Sequence, residues 1–480
     1  MRINQKSLKV KTETGQEKTL GKGQIFFKKL KPGENLLLLG LGPNVELWQQ
    51  FAKNRKVFLV EHPEILAKIS LPEHFLLLNP KDITDTLIQQ ANVWAYVPSL
   101  RYFPTFWSDI LAKVYAPLDA ASTRKIWLFM PKTSLLNLEL ILAARRLNMT
   151  AEIKQFAEPK DLQQALSQER PCLVISINGH ILDPFGVFQA ILEKAGVPLV
   201  LWLIDNPWHV LSKFKGNFIQ KFYFFVTDEF FVPLLKQKGL KKTFYLPLAT
   251  EPLIFREAKL REQWASEITF VGRLSFPNKK KYFAGAQPDK TILDQGKKLV
   301  EQGNRADYAW ALKQAPHISH RNLGLTLDNL NTLYRKRVLK HISQNFYLKI
   351  IGGEEWKNVL PEVEVLPAVD YYTQLKHVYA SSNYILNLTS FFLPFSLNQR
   401  HFDVWISNGF LLTDFTPGLK LFSSEAVSYV SFTNYTKLMA KIKRLEQDNT
   451  LKRDLQNYFK TEILQKHTYV QRLEFVIGNL

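Results

Sequence analysis

The chain has 480 residues, 46% of them hydrophobic and 22% charged, which is the composition of a folded protein and excludes a disordered one. This length is too great for one hydrophobic core and predicts two or three domains. A single cysteine excludes an internal disulfide and a cysteine-based metal site. No apolar run approaches the roughly 20 residues of a membrane span. The basic, polar start at residues 1–23 does not resemble a secretory signal, so we expect a soluble cytoplasmic protein.

The net charge of +20 is concentrated in residues 6–31, 213–242 and 279–281. Such an excess fits a solvated surface, an anionic membrane surface, an anionic substrate or a nucleic acid. Zinc-finger spacing, an aromatic nucleic-acid-binding pattern and a basic heptad extension are all missing from the sequence, so we expect no specific nucleic-acid partner. Peripheral contact with the anionic inner face of a membrane stays open as an expectation.

The first predicted unit begins with a buried strand at 34–39 and a glycine turn, Gly40-Leu41-Gly42-Pro43. A second apolar strand at 56–60 ends in Glu61. An acid about twenty residues after such glycines holds a ribose hydroxyl in Rossmann-like folds. The third glycine of that pattern is missing, so two interpretations stay open: a structural strand–helix–strand unit, or a site for S-adenosylmethionine in a methyltransferase.

The second predicted unit alternates strands and helices from residue 125 onward. Strands are expected at 125–129, 172–177, 198–204, 222–226 and 243–246, with helices at 135–147 and 185–194. Prolines bracket residues 247–252, where periodicity lapses, and this segment predicts a linker.

The third predicted unit restarts with a strand at 268–273, followed by helical segments to about His341. Further strands are expected at 346–351, 384–388 and 410–412, and one long amphipathic helix at 436–475. Two successive Rossmann-like domains joined by a short linker and closed by a long helix form the GT-B layout. We therefore predict an α/β protein of GT-B fold, with two Rossmann-like domains facing a cleft and an extra N-terminal Rossmann-like unit. The predicted boundaries are 1–122, 123–252 and 253–480.

Two groups of polar residues in the third unit predict a phosphate-containing ligand. Gly272 and Arg273 follow a strand, and Lys279 lies a few residues on. A glycine permits close approach of a ligand, and the two cations suit a diphosphate. In the second group, Asn398 and Arg400 stand at the predicted start of a helix, near Ser396 or Leu397, which would favour a phosphate.

Asp403 follows Arg400 by nearly one helical turn. It could accept hydrogen bonds from ribose hydroxyls, or form a local ion pair with Arg400, which would stabilise the helix by only about 0.3 kcal/mol.

This second group resembles the C-terminal signature of the spore-maturation (CgeB-like) glycosyltransferases. The matching positions are Ser396, Asn398, Arg400, Phe402, Asp403, Gly409, Phe410, Leu411, Leu412, Thr413 and Asp414. Residues 202–207 and 467–472 also resemble segments of that family, whereas Trp405, Ser407 and Asn408 depart from it. The resemblance covers residues 125–480 and implies that Gly409, Thr413 and Asp414 shape the donor pocket.

Two polar groups end adjacent strands of the second unit and should face the same cleft. They are Asn178-Gly179-His180 and Asp205-Asn206. His180 is a candidate general base because its ordinary pKa is near neutral, and Asp205 could orient the acceptor or act as the base itself. Structural alternatives are a hydrogen-bonded histidine and a turn closed by the Asp205 or Asn206 side chain.

These features predict a metal-independent glycosyltransferase that moves a sugar from a nucleotide-sugar to a glycan, cell-envelope or protein acceptor, without a cofactor. Alternatives are the methyltransferase of the first unit and a non-catalytic GT-B-shaped protein that binds glycans or membranes. The sequence leaves open the sugar, the nucleotide, the acceptor, the stereochemical course and the oligomeric state.

Overall fold

A computed structural model describes residues 8–51, 56–275 and 278–480. In these residues the fold is α/β, with one five-stranded sheet, two six-stranded sheets and a two-stranded hairpin. The predicted fold class is confirmed: an additional α/β unit precedes two Rossmann-like domains in the GT-B arrangement. The three large sheets fall one in each predicted segment, while the boundaries themselves stay predictions.

The N-terminal unit has a mostly parallel sheet of order β3-β7-β4-β5-β6, in which only β3 is antiparallel to its neighbour. Its strands are β1 (Lys9–Lys11), β2 (Glu17–Thr19), β3 (Phe27–Lys31), β4 (Asn35–Leu39), β5 (Val57–Val60), β6 (Phe75–Leu77) and β7 (Ala91–Tyr96). Its helices are α1 (Val45–Phe51), α2 (Pro63–Leu66), α3 (Asp85–Gln90), α4 (Val97–Tyr102) and α5 (Pro104–Val114), with 3-10 turns at Gln24–Phe26 and Pro80–Asp82.

The backbone amides of the glycine turn after β4 donate hydrogen bonds to Glu61, the acid at the end of β5. Glu61 Oε2 accepts hydrogen bonds from the amides of Leu41 at 2.7 Å and Gly42 at 2.9 Å, and Oε1 accepts from the His62 amide at 2.9 Å. A Cβ on Gly42 would lie 2.4 Å from the Tyr96 ring, so protein already fills the space beside the turn. The buried Glu61 side chain therefore stabilises the turn by accepting its hydrogen bonds. This geometry supports a structural strand–helix–strand unit over a methyltransferase site.

The second domain has six parallel strands in the order β13-β12-β11-β10-β8-β9. They are β8 (Lys125–Phe129), β9 (Thr150–Lys154), β10 (Leu173–Ile177), β11 (Leu199–Leu203), β12 (Tyr223–Val226) and β13 (Thr243–Tyr245). The helices are α6 (Asn137–Arg146), α7 (Pro159–Gln168), α8 (Val187–Lys194), α9 (Pro207–Leu211), α10 (Phe231–Gln237) and α11 (Pro252–Phe255), with a 3-10 turn at Asn217–Lys221.

The third domain is a doubly wound parallel sheet of order β16-β15-β14-β17-β18-β19, so its strand order reverses at β14. The strands are β14 (Ser266–Val271), β15 (Leu348–Gly352), β16 (Glu364–Pro367), β17 (Ser382–Asn387), β18 (Leu411–Asp414) and β19 (Ser431–Phe432). The helices are α12 (Lys279–Tyr282), α13 (Lys290–Glu301), α14 (Tyr308–Gln314), α15 (His320–Ser343), α16 (Trp356–Val359), α17 (Leu375–Ser381), α18 (Arg400–Ile406), α19 (Ser424–Val430), α20 (Leu438–Gln447), α21 (Asn449–Lys466) and α22 (Tyr469–Ile477). Further 3-10 turns are Glu262–Trp264, Pro417–Leu421 and Tyr435–Lys437.

The predicted long closing helix is three helices, α20 to α22. The backbone at His467 leaves helical geometry (φ −131, ψ 47), and a capping box between Thr468 and Gln471 starts α22. This last helix returns to the second domain, where Arg472 Nε donates to the Pro247 carbonyl at 2.8 Å. The return helix therefore fixes the interdomain linker.

Replacing Glu61 by alanine should lower the free energy of unfolding by about 2–4 kcal/mol, because three amides near the glycine turn lose their acceptor. Urea unfolding measures the effect, with Glu73→Ala, at an exposed acid of the same unit, as the matched control. S-adenosylmethionine should not change the thermal midpoint of the wild type. A rise on adding it would contradict the structural role.

Candidate active site

Two cavities lie on either side of the turn that follows β14. The smaller one, of about 270 Å³, lies at the carboxyl ends of β14, β15 and β16, with Leu135 of the second domain on its wall. The larger one, of about 1060 Å³, lies between the second and third domains. Gly272 and Arg273 line the first cavity, and Leu274 and Ser275 line the second. The turn thus forms the partition between them.

The structure brings Asn398 and Arg400 to the smaller cavity, next to Gly272, as the sequence predicts. Arg400 Nη1 donates to Asn387 Oδ1 at 2.6 Å, and Asn398 Nδ2 donates to the same oxygen at 2.7 Å. A Cβ on Gly272 would lie 3.9 Å from Arg400 Nη2, so the guanidinium lies against the turn. Asn387 therefore orients both predicted donors towards one wall.

A second arginine, Arg335 on α15, lies on the other side of the same turn and was missed by the sequence interpretation. Its Nη1 donates to the Arg273 carbonyl at 2.9 Å, and its side chain lines the larger cavity. Burial, followed by the positive charge of Arg400, lowers the pKa of Arg335 to about 10. Helical spacing from buried Asn331 could have indicated that Arg335 points inward.

Neither Arg335 nor Arg400 forms an ion pair with a carboxylate of the described residues. Two neighbouring guanidinium groups repel each other unless an anion lies between or beside them. Guanidinium groups also match phosphate oxygens with paired donors. The turn after β14 therefore has the charge and the donor geometry that suit an anion.

The predicted role of Lys279 in binding a diphosphate requires a correction, because its ammonium group already pairs with a carboxylate of the protein. Its Nζ forms an ion pair with Asp328, which is 4% exposed, and donates to Asn329 Oδ1 at 3.3 Å. Lys279 lies on the wall of neither cavity. Arg335, and not Lys279, is the cation that contacts the Gly272–Arg273 turn from α15.

Asp403 also requires a correction, because it lies behind the cavity wall. It is fully buried, and its oxygens accept hydrogen bonds from Thr250 Oγ1 at 2.6 Å and Tyr371 Oη at 3.0 Å. Burial raises its pKa well above the usual range. The side chain therefore supports Tyr371, which lines the cavity, and is not placed to bind ribose or to pair locally with Arg400.

The helix that carries these residues begins later than predicted. The first residue of α18 is Arg400, and the Arg400 amide donates to Asn398 Oδ1 at 3.1 Å. The Asn398 amide donates to His401 Nδ1 at 3.1 Å. Both amides already have acceptors within their own turn, so a phosphate here would have to bind to side chains and not to the start of the helix.

The residues of the Gly-Phe-Leu-Leu-Thr-Asp motif are structural. A Cβ on Gly409 would lie 2.7 Å from the Tyr379 carbonyl oxygen, so helix packing requires glycine there. Thr413 is buried and accepts from Asn387 Nδ2 at 3.1 Å, while buried Asp414 pairs with Arg305. Thr413 thus acts on the pocket only through Asn387, and none of the three lines a cavity.

The larger cavity contains the second-domain residues predicted for the acceptor side. Asn178 joins two strand ends, since its Nδ2 donates to Asp205 Oδ2 at 2.8 Å and its Oδ1 accepts from the Ile204 amide at 3.0 Å. Water reaches the Asp205 carboxylate, yet the surrounding protein desolvates it and raises its pKa. A carboxylate held in this way can accept a proton from a hydroxyl group in the cavity.

His180 lies on the wall of the same cavity, at the end of a tight turn after β10. Asn178, Gly179 and Ile181 have positive φ angles of 50°, 62° and 66°, which is a strained conformation for a β-branched residue such as Ile181. Lys213 Nζ holds the turn by donating to the carbonyls of Asn178, at 3.0 Å, and of Gly179. Burial and then the charge of Lys213 lower the pKa of His180, so the imidazole is neutral at pH 7.

Asn206 lines the cavity, and each of its side-chain polar atoms makes a hydrogen bond within the protein. Its Oδ1 accepts from the Trp208 amide at 3.1 Å and caps α9, and its Nδ2 donates to the Phe392 carbonyl at 3.0 Å. Both groups are therefore occupied. Asn206 joins the two domains at the cleft and is not placed to bind an acceptor.

Residues 335–478 match a family model described as glycosyl transferase-like. This region begins at Arg335 and includes Asn398 and Arg400. No curated protein matches the chain.

Several solved structures are similar to this chain at low identity. HepE from Anabaena, in complex with UDP-glucose, is 13% identical, with 74% of this chain and 100% of that chain covered and a TM-score of 0.44. T4 phage BGT with its UDP-glucose substrate is 8% identical, covering 74% and 96%, with a TM-score of 0.40. An α,α-trehalose-phosphate synthase (UDP-forming) from Burkholderia vietnamiensis is 11% identical, covering 93% and 99%, with a TM-score of 0.39. Similarities this low transfer neither substrate nor residue role.

The described ranges contain no group of three or more His, Cys, Asp or Glu side chains arranged to hold a metal ion. Within 8–51, 56–275 and 278–480, no helix combines the length and the apolar character that crossing a bilayer requires.

A buried acid next to Tyr371, outside the wall of the smaller cavity, should make stability depend on pH. Glu139 of α6 is fully buried and accepts from Tyr372 Oη at 3.0 Å, and burial raises its pKa from 4.5 to about 7. In that window the native state holds a proton that the unfolded chain has released. Stability should therefore fall as pH rises from about 4.5 to about 7, by up to about 3 kcal/mol.

Glu139→Gln should remove this part of the pH dependence and keep an acceptor for Tyr372. Thermal midpoints across the window measure it, with Glu354→Gln at an exposed acid as the control. An unchanged pH profile in Glu139→Gln would show that Glu139 is ionised in the native state.

Proposed function

We propose that this protein is a glycosyltransferase that moves a sugar from a nucleotide-sugar donor to an acceptor held in the interdomain cleft. The observation that carries the proposal is the pair of guanidinium groups, Arg335 and Arg400, beside the Gly272 turn without a carboxylate partner in the described chain. The match of residues 335–478 to a glycosyl transferase-like model supports it. Resemblance to the CgeB-like family points the same way.

The donor is assigned to the smaller cavity and the turn beside it. The nucleoside would occupy the cavity lined by Val369, Tyr371 and Tyr379, and the diphosphate would lie along the Gly272–Arg273 turn. Arg400 and Arg335 would then stabilise the negative charge that develops on the diphosphate as the glycosidic bond breaks. This arrangement supplies the charge from side chains, so the proposed reaction is metal-independent, and a chelator should leave nucleotide release unchanged.

The acceptor is assigned to the larger cavity. The sugar carbon bonded to the diphosphate would emerge past the turn into this cavity, where Asp205 and His180 line the opposite wall. Asp205 would remove the proton from the attacking hydroxyl, because it is held by Asn178, reached by water and raised in pKa. His180 is the second candidate base. Glycans, cell-envelope polymers and proteins all carry hydroxyl groups that could attack the sugar carbon.

Arg400→Gln and Arg335→Gln should each weaken binding of a nucleoside diphosphate by about tenfold to a hundredfold, because each removes a charged phosphate donor. Calorimetry with UDP, GDP and dTDP measures the affinity. Arg337→Gln is the matched control: it lies on the same helix as Arg335 and already pairs with Glu301 at 2.9 Å. Equal losses in all three variants, or none in the first two, would contradict the donor site.

Asp205→Asn should leave nucleoside diphosphate binding intact and slow release of the diphosphate from a bound nucleotide-sugar by about a hundredfold or more. The wild-type rate should rise with pH through the raised pKa of Asp205, and this rise should be lost in the variant. Asp294→Asn, at an exposed acid, is the control. If His180→Gln removes the rise and Asp205→Asn does not, the base is His180.

If nucleotides bind and no variant or acceptor mixture shows turnover, the chain is a GT-B-shaped binding protein. That outcome separates the binding claim from the catalytic claim.

A further inference from the structure

Away from both cavities, α22 and the edge strand β13 form an apolar groove of about 600 Å³. Its walls include Phe244, Leu246, Leu421 and Phe475. Phe475 is 44% exposed, and Ile477, on the same short helix, is 39% exposed. An exposed aromatic side chain on the wall of an apolar groove is a feature of binding surfaces.

Four lysines lie on α10 or in the segment between α10 and β13: Lys236, Lys238, Lys241 and Lys242. All four are exposed, and none of them forms an ion pair with a carboxylate in the part of the chain that the structure describes. Lys236 lines the groove itself. Lys242 Nζ lies 4.2 Å from the centre of the Tyr223 ring, whose hydroxyl reaches the Leu480 carbonyl at 3.4 Å. The charged and apolar groups are therefore continuous.

A second apolar cavity, of about 740 Å³, lies on the other side of residues 417–422. Phe415, Phe422 and Phe432 line it together with three lysines, and no acidic residue lines it. The lysines are Lys437, Lys441 and Lys420, of which Lys420 already forms an ion pair with Glu229. Leu421 faces the first groove, and its neighbours Lys420 and Phe422 face the second cavity. An apolar cavity with lysines at its wall therefore occurs twice on adjacent parts of the surface.

We propose that this lysine–apolar surface, formed by residues 236–244, 415–441 and 475–480, docks the protein on an anionic lipid bilayer. Lysines attract anionic headgroups, and exposed aromatic and aliphatic side chains enter the boundary between headgroups and acyl chains. Lysines also protect a sheet edge from pairing with another chain. That role does not account for an exposed Phe475 on the wall of the groove. The inference does not depend on the proposed transfer reaction.

Vesicle sedimentation tests the proposal with the full chain. The wild type should bind vesicles made of equal amounts of phosphatidylcholine and phosphatidylglycerol, bind phosphatidylcholine vesicles much less, and lose binding as salt is raised. Replacing Lys236, Lys238, Lys241 and Lys242 together by glutamine should weaken binding by about tenfold or more. The double variant Phe475→Ser/Ile477→Ser should bind the mixed vesicles more weakly than the wild type at every salt concentration.

The control replaces four exposed lysines elsewhere, Lys18, Lys160, Lys259 and Lys357, by glutamine, so both quadruple variants have the same net charge. It should bind as the wild type does, and thermal midpoints verify that every variant is folded. Equal binding by the two quadruple variants would overturn the proposal, as would wild-type binding to duplex or single-stranded DNA but not to the mixed vesicles. Unchanged nucleoside diphosphate affinity in the surface variants would show that the two sites are separate.

Discussion

Two like charges held close together impose the main constraint on this structure. Arg335 and Arg400 approach the same turn from different helices, and burial, followed by the charge of Arg400, lowers the pKa of Arg335 to about 10. Like charges beside one turn cost free energy, and a bound anion would offset that cost. The switch in strand order at β14 places this turn at the edge of the sheet where ligands bind in open α/β folds. The turn also separates the two cavities, so an anion there would have one end in each.

The relative position of the two domains is fixed by buried polar contacts. Asp228, fully buried at the end of β12, accepts from the amides of Phe395 at 3.0 Å and Ser396 at 3.1 Å. Thr250 in the linker donates to Asp403, and Arg472 on α22 binds the linker carbonyls. Because these contacts surround the segment that carries Asn398 and Arg400, the same bonds that hold the domains together also position the proposed donor ligands.

The sequence predicts the layered fold and most strands because parallel strands buried on both faces appear as continuous apolar runs. It also places Asn398 and Arg400, whose local spacing carries the information. The sequence does not predict contacts between residues far apart in the chain. Lys279 pairs with Asp328, and Asp403 accepts hydrogen bonds from Thr250 and Tyr371. Arg335 lies on a helix that carries no recognisable motif. The break at His467 was missed because amphipathic periodicity continues across a capped turn.

Calorimetric titration of the wild-type chain with UDP, GDP and dTDP tests the central claim most directly. At least one nucleoside diphosphate should bind, its nucleoside monophosphate should bind more weakly, and added salt should lower the affinity, because two guanidinium groups recognise the diphosphate. Absence of binding by every nucleoside diphosphate, or equal affinity for mono- and diphosphate, would contradict it.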